Sequence, residues 1–275
     1  MILSFHPLFE ADKNISCADR ELNASDLEAV KRARAVILQQ GCNKFIYDMA
    51  RYNCPNVFPD YDAKFKYPGK IGQAKMFQEF GVLHPKTEIF LSVESFFDNY
   101  SELNEQTFDY PFVFKFDWGG EGDNVYLAKS IKELRKYLDK AVIYEKTGQK
   151  GFLIQEYIPC RNRTLRVVVI NRKIITYWRV LKNKREFCSN LSKGAVVDFD
   201  SDPDLQEMAA FSVRSFCKRT KINLAGIDIL FSSDAEIKEP LFLEINYFFG
   251  RKGLGGSEKY YELLIPEIKA WINNL

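Results

Sequence analysis

The sequence predicts a protein of mixed α/β and α+β class, with a small N-terminal lobe and two further lobes, on three observations. Residues 1–67 alternate strand and helix patterns, and this β-α-β-α-β order favours a parallel sheet. Residues 68–150 and 151–275 contain more strands for each helix. The chain has 275 residues, 46% of them hydrophobic, which is enough to bury a sizeable core.

The N-terminal lobe is recognised from short apolar runs separated by helix signals. Ser25 and Glu28 have the spacing of a capping box, which predicts the start of a helix. The segment Tyr67-Pro68-Gly69 interrupts the regular patterns and predicts the lobe boundary. The predicted elements are strands at 2–5 and 35–38, helices at about 25–34 and 43–52, and then the Pro-bounded segment 54–59, which completes the β-α-β-α-β order.

The two following lobes are predicted from longer apolar runs. Asn171-Arg172 lies between two β-branched runs, so residues 165–180 should form a hairpin. Pro266 is expected to restart the terminal helix as a first-turn residue. The central elements are a helix at about 71–80, strands near 87–91, 111–116 and 125–128, and a helix opened by the capping box of Ser130 and Glu133. The later elements are strands at 152–157, 165–171, 174–180, 227–231 and 241–245 and a helix at about 204–219.

Composition excludes several classes of protein. The net charge of +2 argues against nucleic acid or a membrane as the main partner. No apolar run reaches the roughly 18 to 20 residues of a membrane span, and the start of the chain lacks a signal-peptide pattern. The six cysteines form no CxxC pair. We therefore expect reduced thiols in a cytoplasmic protein.

The first candidate site is the segment 111–125, in which Lys115 lies inside an apolar strand. A buried lysine is costly unless an anion meets it. The strand leads into a loop with three glycines in four residues, Gly119, Gly120 and Gly122. Such a loop lets backbone N–H groups surround phosphate oxygens. The alternative is a tight hairpin with a snorkelling lysine.

The second candidate site is the stretch 161–185, which contains nine basic residues and no acidic one. In the predicted hairpin, Arg166 and Arg179 could project from adjacent strands towards one anion. A solvated basic ribbon is the alternative for 182–185. Electrostatics alone does not separate a triphosphate from a nucleic-acid backbone, so nucleic acid stays an alternative for the rest.

The third candidate site consists of Asp228, Glu244 and Asn246, which lie in two apolar strands. Glu244 and Asn246 are two residues apart and therefore share one face of their strand. Two acids and an amide in such strands need a compensating cation, and hard oxygen ligands suit Mg²⁺. Salt bridges to the basic hairpin are the structural alternative.

Taken together and in this order, these features resemble the ATP-grasp superfamily, nearest to its RimK-like branch of ribosomal-protein glutamate ligases and relatives such as glutathione synthetase. The resemblance runs from about Lys70 to Ile265. It implies an ATP-grasp fold in which two α+β lobes hold ATP between them. It also implies ATP and two Mg²⁺ ions as cofactors, with Mn²⁺ able to substitute.

The resemblance assigns individual residues to roles. It implies that Lys115, Arg166 and Arg179 are catalytic and that Asp228, Glu244 and Asn246 hold the metal. The implied nucleotide-contacting residues are Lys70, Lys115, Gly119, Gly120, Gly122, Gln155, Glu156, Tyr157, Ile158, Ser189, Asn190 and Leu243.

Three positions depart from the family pattern. Asn124 stands where the loop commonly has its last glycine, and Thr164 stands where an aspartate usually precedes the arginine. Phe249-Gly250 replaces the Pro-Gly that usually follows the metal asparagine.

The resemblance implies a carboxylate–amine ligase that forms an acyl-phosphate and releases ADP and phosphate. Its partners would be a small-molecule or peptide carboxylate and an amine acceptor, and homo-oligomer formation is left open. Two alternatives remain at this point. One is a small-molecule kinase of the same fold, and the other is a nucleotide-binding regulatory protein without turnover.

Overall fold

The structure is a computed structural model that describes residues 1–17, 21–103, 105, 107–119, 123–181 and 194–275. Its first sheet belongs to the N-terminal lobe and is parallel, with the order β2-β1-β3-β4, as the alternating pattern predicts. Its strands are β1 (Ile2–Ser4), β2 (Lys13–Asn14), β3 (Ala35–Ile37) and β4 (Val57–Phe58), and its helices are α1 (Ala24–Lys31), α2 (Lys44–Asn53) and α3 (Asp62–Lys66).

One detail of this lobe corrects the prediction. Helix α1 is capped by Asn23, whose side chain accepts hydrogen bonds from Ser25 and Asp26, and Asp26 completes the capping box. Two overlapping capping signals compete here. Asn23 caps two residues before the predicted Ser25, because asparagine is at least as good a cap as serine.

The second sheet is antiparallel, with the order β5-β8-β6-β7. The hairpin of the second and third strands carries Lys115 and leads through the glycine loop. Its strands are β5 (Thr87–Phe90), β6 (Phe112–Phe116), β7 (Val125–Ala128) and β8 (Phe152–Glu156), and its helices are α4 (Gly69–Glu79), α5 (Val93–Asn99) and α6 (Ile131–Glu145). Strand β8 lies beyond the predicted boundary at 150/151 but pairs with β5 and β6, so the chain leaves this sheet after Glu156.

The third sheet is also antiparallel, with the order β11-β10-β9-β12-β13. The predicted hairpin is confirmed, since β9 pairs with β10 in register from Arg163–Val180 to Ile170–Lys173. The strands are β9 (Arg163–Ile170), β10 (Lys173–Val180), β11 (Val196–Asp198), β12 (Leu224–Leu230) and β13 (Leu241–Asn246), and the helices are α7 (Pro203–Thr220) and α8 (Ser257–Asn273).

The prediction for Pro266 is wrong, because this proline lies inside α8 rather than at a helix start. An interior proline removes a backbone hydrogen bond and costs roughly 3 kcal/mol. Tyr260, Leu264 and Ile268 of the same helix are buried in the core. Their burial offsets the cost and keeps the helix continuous.

The second sheet packs on a different hydrophobic core from the other two sheets, and the cleft lies between these two parts of the protein. The largest core joins the N-terminal sheet to the third sheet and includes Met76 and Phe77 of α4. The second sheet has a separate, phenylalanine-rich core. The five described cysteines are free thiols, and no described helix is long and apolar enough to span a membrane.

Candidate active site

A narrow cleft lies where the second sheet, α4 and the edge of the third sheet meet. One wall comes from the second sheet and the other from β13 of the third. Its lining includes Lys70, Gln73, Phe77, His84, Thr87, Lys115, Leu153, Gln155, Leu243 and Glu244. Four residues predicted to contact the nucleotide (Lys70, Lys115, Gln155, Leu243) and one predicted metal ligand (Glu244) therefore share one cavity.

Lys115 is buried in the middle of β6 rather than snorkelling to the surface. Its ammonium donates a hydrogen bond to Gln155 Oε1 at 2.6 Å. Gln155 Nε2 in turn donates to Thr87 Oγ1 at 2.8 Å, and the Thr87 hydroxyl donates to the Pro85 carbonyl at 2.7 Å. Lys115 is the most buried lysine of the described residues, and this chain of hydrogen bonds holds its ammonium at the lining of the cleft.

Lys70 lies in the first turn of α4, and its ammonium contacts the start of the glycine loop. It donates to the carbonyls of Trp118 at 3.1 Å and Gly119 at 2.9 Å. Burial lowers the pKa of Lys70, while the nearby carboxylates of Glu244, Asp117 and Asp123 oppose that shift. A lysine in this environment lacks full compensation and suits an anionic ligand.

The glycine loop is only partly described, and the predicted nucleotide contacts of Gly120 and Gly122 lie outside the described residues. Gly119 has a φ of +92°. Asn124, which replaces the last glycine of the family pattern, has a φ of +61°. Asparagine is among the residues that tolerate this left-handed region best, so the substitution preserves the backbone conformation that a glycine would allow.

The two arginines of the hairpin converge on Asp228, which is 4% exposed. Arg166 contacts it through Nε to Oδ1 at 2.6 Å and Nη2 to Oδ2 at 3.2 Å, and Arg179 Nη2 lies 2.8 Å from Oδ1. Burial opposes ionisation of Asp228, but Arg166 and Arg179 together outweigh it and hold its pKa below the usual value. The salt-bridge alternative is therefore realised for Asp228, although both arginines do converge on a single anionic group.

Thr164, where the family pattern usually has an aspartate, helps to hold this cluster. Its hydroxyl oxygen accepts hydrogen bonds from Arg179 Nε at 3.2 Å and Nη2 at 2.9 Å. Gly226 leaves the space that Arg166 needs, because a Cβ at that position would lie 2.6 Å from Arg166 Nη1.

Glu244 and Asn246 are placed beside Asp228 by strand register. Glu244 is paired with Asp228 across β12 and β13, and Asn246 Nδ2 donates to Asp228 Oδ2 at 3.3 Å. Burial and then the neighbouring Asp228 raise the pKa of Glu244, against the opposing charges of Lys70, Lys115 and Arg166. Glu244 is therefore the carboxylate of the cluster that lacks full charge compensation.

Glu244 and the amide oxygen of Asn246 fit a hard divalent cation such as Mg²⁺, which usually also takes water and substrate phosphates. Asp228 would have to share with the cation carboxylate oxygens that already accept from Arg166 and Asn246. A cation at Glu244 would offset the burial and the neighbouring charge of Asp228, which together raise the pKa of that residue. The candidate site has only two acids, and the described residues contain no group of three or more His, Cys, Asp and Glu side chains suited to a metal.

The other predicted nucleotide contacts lie at the end of β8 or outside the described residues. Gln155 lines the cleft, and Glu156 ends the strand, with its N–H donating to the Lys86 carbonyl at 2.9 Å. Tyr157 and Ile158 follow and are partly buried. Ser189 and Asn190 lie outside the described residues, so their role stays a prediction, as do the nucleotide contacts of the others.

Of the lining residues that were not predicted from the sequence, Gln73 and Thr87 make hydrogen bonds that organise the cleft. Gln73 of α4 donates through Nε2 to the Ile245 carbonyl and accepts from the Ile245 N–H, both at 2.8 Å. It fixes α4 to the strand that carries Glu244 and Asn246. Thr87 orients Gln155. Neither residue belongs to a recognisable motif. The only signal for Gln73 is that it is a polar residue on an otherwise apolar face of its helix.

Sequence comparison identifies a family for most of the chain. The model of the RimK-like ATP-grasp domain matches residues 70–267. The uncharacterized protein MG012 of Mycoplasma genitalium is 29% identical over 144 residues, which are 52% of this chain and 45% of that protein. The chain thus matches about half the length of this curated relative.

Solved structures share the fold. A RimK domain ATP-grasp protein from Sphaerobacter thermophilus superposes with a TM-score of 0.59 at 13% identity, covering 92% of this chain and 94% of that one. The D-alanine–D-alanine ligase of Bacillus anthracis, solved in complex with ATP, gives a TM-score of 0.62 at 16% identity, covering 95% and 87%. With a family match that spans the cleft and both of its walls, the chain belongs to the RimK-like ATP-grasp family.

Proposed function

We propose that the protein is an ATP- and Mg²⁺-dependent carboxylate–amine ligase that acts through an acyl-phosphate and releases ADP and phosphate. Membership of the RimK-like ATP-grasp family supports ATP-dependent ligation of this kind in general. One observation carries the proposal. Lys70 and Lys115 face Glu244 across a single cleft, so cations for phosphate and oxygen ligands for a metal are present together.

The charges of the cleft suit phosphoryl transfer. A carboxylate oxygen attacks the γ-phosphorus and the bond to ADP breaks, so negative charge must be neutralised at the transferring group. Lys115 is oriented by Gln155 in the lining of the cleft and is in place before the reaction, whereas Arg166 and Arg179 are paired with Asp228 and would contribute from there. Preorganised charge of this type stabilises a transition state without reorganisation at the moment of reaction.

In the second step the amine nitrogen attacks the acyl carbon, phosphate leaves, and the nitrogen loses a proton. Phosphorylation is needed because an ionised carboxylate is a poor electrophile. The acyl-phosphate must meet the amine before water does, which requires a closed site. Bound Mg²⁺ would neutralise phosphate charge, and Glu244, Asn246 and Asp228 would hold it.

The test is interception of the acyl-phosphate. The protein is incubated with Mg-ATP, hydroxylamine and a panel of amino acids, dicarboxylates and short peptides, and hydroxamates and ADP are measured. We expect one class of acid to give hydroxamate in step with ADP release, and Lys115→Met to reduce both. Stable phosphorylation of an alcohol with no hydroxamate from any acid would instead assign a kinase, and nucleotide binding without turnover would refute the ligase.

A further inference from the structure

Asp117 joins three segments of the chain beside the cleft, and neither the motifs nor the proposed chemistry uses it. It follows the last residue of β6 and precedes the described part of the glycine loop. Its Oδ1 accepts a hydrogen bond from the Ile71 N–H at 2.7 Å, and its carbonyl accepts from the Lys70 N–H at 3.3 Å. Its own N–H donates to the Gly151 carbonyl at 3.2 Å, just before β8.

These bonds cap helix α4 from a distant part of the chain. Pro68, the residue before the helix, makes no side-chain capping hydrogen bond. The first N–H groups of any helix have no partner within it, and a carboxylate there also interacts favourably with the helix dipole. Asp117 supplies both from 46 residues away.

The conformation of Gly69 is fitted to this contact. Its φ is +69°, and a Cβ at that position would lie 2.7 Å from Asp117 Oδ2 and closer still to Oδ1. Any side chain at residue 69 would therefore displace the carboxylate. The glycine both adopts the left-handed conformation and leaves room for the cap.

The same turn is fastened to the loop a second time through Lys70. While Asp117 holds the backbone of Lys70 and Ile71, the Lys70 ammonium donates to the carbonyls of Trp118 and Gly119. The Asp117 carboxylate and the Lys70 ammonium thus connect the start of α4 to the start of the glycine loop by separate hydrogen bonds. The relative position of Lys70 and Gly119 is fixed by both ties.

We propose that Asp117 is a positioning residue, which sets Lys70 and Gly119 in the arrangement that binds the triphosphate. This inference rests on the proposed function, since it assumes that Lys70 contacts nucleotide. Lysine has a flexible four-carbon stem, so its ammonium is placed only as well as its backbone is. Loss of Asp117 should therefore weaken nucleotide affinity in the folded protein and not only lower stability.

The experiment measures the affinity for Mg²⁺ with a non-hydrolysable ATP analogue by calorimetric titration, together with thermal unfolding of each variant without nucleotide. Asp117→Ala should bind roughly five- to tenfold more weakly, the range expected for losing a helix cap if that loss is felt at the site. Asp117→Asn keeps the oxygen that accepts from Ile71 and should bind within about threefold of the parent.

Gly69→Ala, with Gly81→Ala as its matched control, tests the contact from the other side. Gly81 follows the same helix with a φ of +58°, but no atom lies within 4 Å of a Cβ there. Both substitutions strain the backbone, whereas only Gly69→Ala displaces Asp117. We expect Gly69→Ala to weaken nucleotide binding and Gly81→Ala to leave it unchanged. The effect of Gly69→Ala should shrink in the Asp117→Ala background.

The outcomes separate the hypotheses. If the parent fails to bind Mg-nucleotide, the proposed function is wrong and the inference falls with it. If the parent binds and Asp117→Ala binds equally well with a lower melting temperature, Asp117 is structural only. If Asp117→Ala does not fold, the comparison of Gly69→Ala with Gly81→Ala decides, and equal affinities for those two overturn the inference.

Discussion

Asp228 and Glu244 are paired across β12 and β13, yet removing their charges should have opposite effects on stability. Asp228 is surrounded by donors. Its Oδ1 accepts from Arg166 and lies 2.8 Å from Arg179 Nη2, and its Oδ2 accepts from Arg166 and Asn246. Glu244 has its pKa raised by burial and by Asp228. The perturbation is therefore the pair of isosteric variants Asp228→Asn and Glu244→Gln.

The magnitude for Asp228→Asn follows from these contacts. In either orientation the new amide NH₂ faces two donors, and two buried guanidinium groups lose their counter-charge. Removing one partner of a buried ion pair costs about 3 to 5 kcal/mol. At about 2 to 4 °C per kcal/mol for a chain of this size, the melting temperature should fall by roughly 6 to 20 °C.

Glu244→Gln should instead leave the protein without ligand as stable as the parent or more stable. A carboxyl whose pKa is raised in the folded state destabilises the fold once it ionises, and glutamine removes that cost. The gain should be present at pH 7 and should vanish as the pH falls below the ordinary pKa of glutamate, because the carboxyl is then neutral in both the folded and the unfolded state. The same variant should lose the stabilisation by Mg-ATP, about 2.7 kcal/mol at a hundredfold excess over Kd in the parent.

Thermal unfolding with and without Mg-ATP, at pH 7 and at acidic pH, checks all of these expectations. They are the lower melting temperature of Asp228→Asn, the unreduced stability of Glu244→Gln, the loss of its gain at acidic pH, and the loss of its stabilisation by Mg-ATP. ATP without Mg²⁺ should stabilise the parent only modestly. If Glu244→Gln loses as much stability as Asp228→Asn, Glu244 is a structural partner of the basic hairpin. If Glu244→Gln still responds to Mg²⁺ and turns over as the parent does, the metal assignment is wrong.

Two further substitutions test the neighbouring contacts. Lys115→Met should lower turnover by about 10²-fold or more, because it removes a preorganised cation. Its free energy of unfolding should change by less than about 1 kcal/mol, because removing a buried charge offsets the cost of leaving the Gln155 oxygen without its donor. Turnover is measured as ADP release, and an unchanged rate would refute the catalytic role of Lys115. Gly226→Ala should lower the free energy of unfolding by about 1 to 3 kcal/mol in denaturant titrations. The reason is that its Cβ would lie 2.6 Å from Arg166 Nη1 and 3.0 Å from Phe249 Cβ. Stability equal to the parent would show that Arg166 can leave Asp228 at little cost.

The features that the sequence predicts well are those whose signal lies within one short segment of the chain. Lys115 in an apolar run and Glu244 two residues before Asn246 require only strand periodicity, and the structure places both as expected. The hairpin around Asn171 has its turn signal and both strands within 20 residues. In each case the spacing of side chains along one strand is sufficient.

The features that the sequence could not predict depend on which distant segments meet. Gln73 bonds to Ile245 and Asp117 to Ile71, across 172 and 46 residues, and no local pattern encodes either pair. The convergence of Arg166 and Arg179 and salt bridges from the acidic cluster to the hairpin were both expected, but the spacing along single strands could not decide that Asp228 is the acid that receives both arginines. Pro266 was misplaced because local propensity disfavours an interior proline and only tertiary burial overrides it.

Helix α4 connects the two walls of the cleft, and this explains why polar side chains of this helix have long-range partners. Met76 and Phe77 anchor it in the core that the N-terminal and third sheets share, whereas the second sheet has its own core. Gln73 then fixes the helix to β13, beside Glu244. At its first turn, Asp117 and Lys70 fix it to the loop that follows Lys115. Two separate cores do not by themselves fix the spacing of the two walls. These hydrogen bonds therefore help to set the distance between the lysines and the carboxylates, on which any reaction at this site depends.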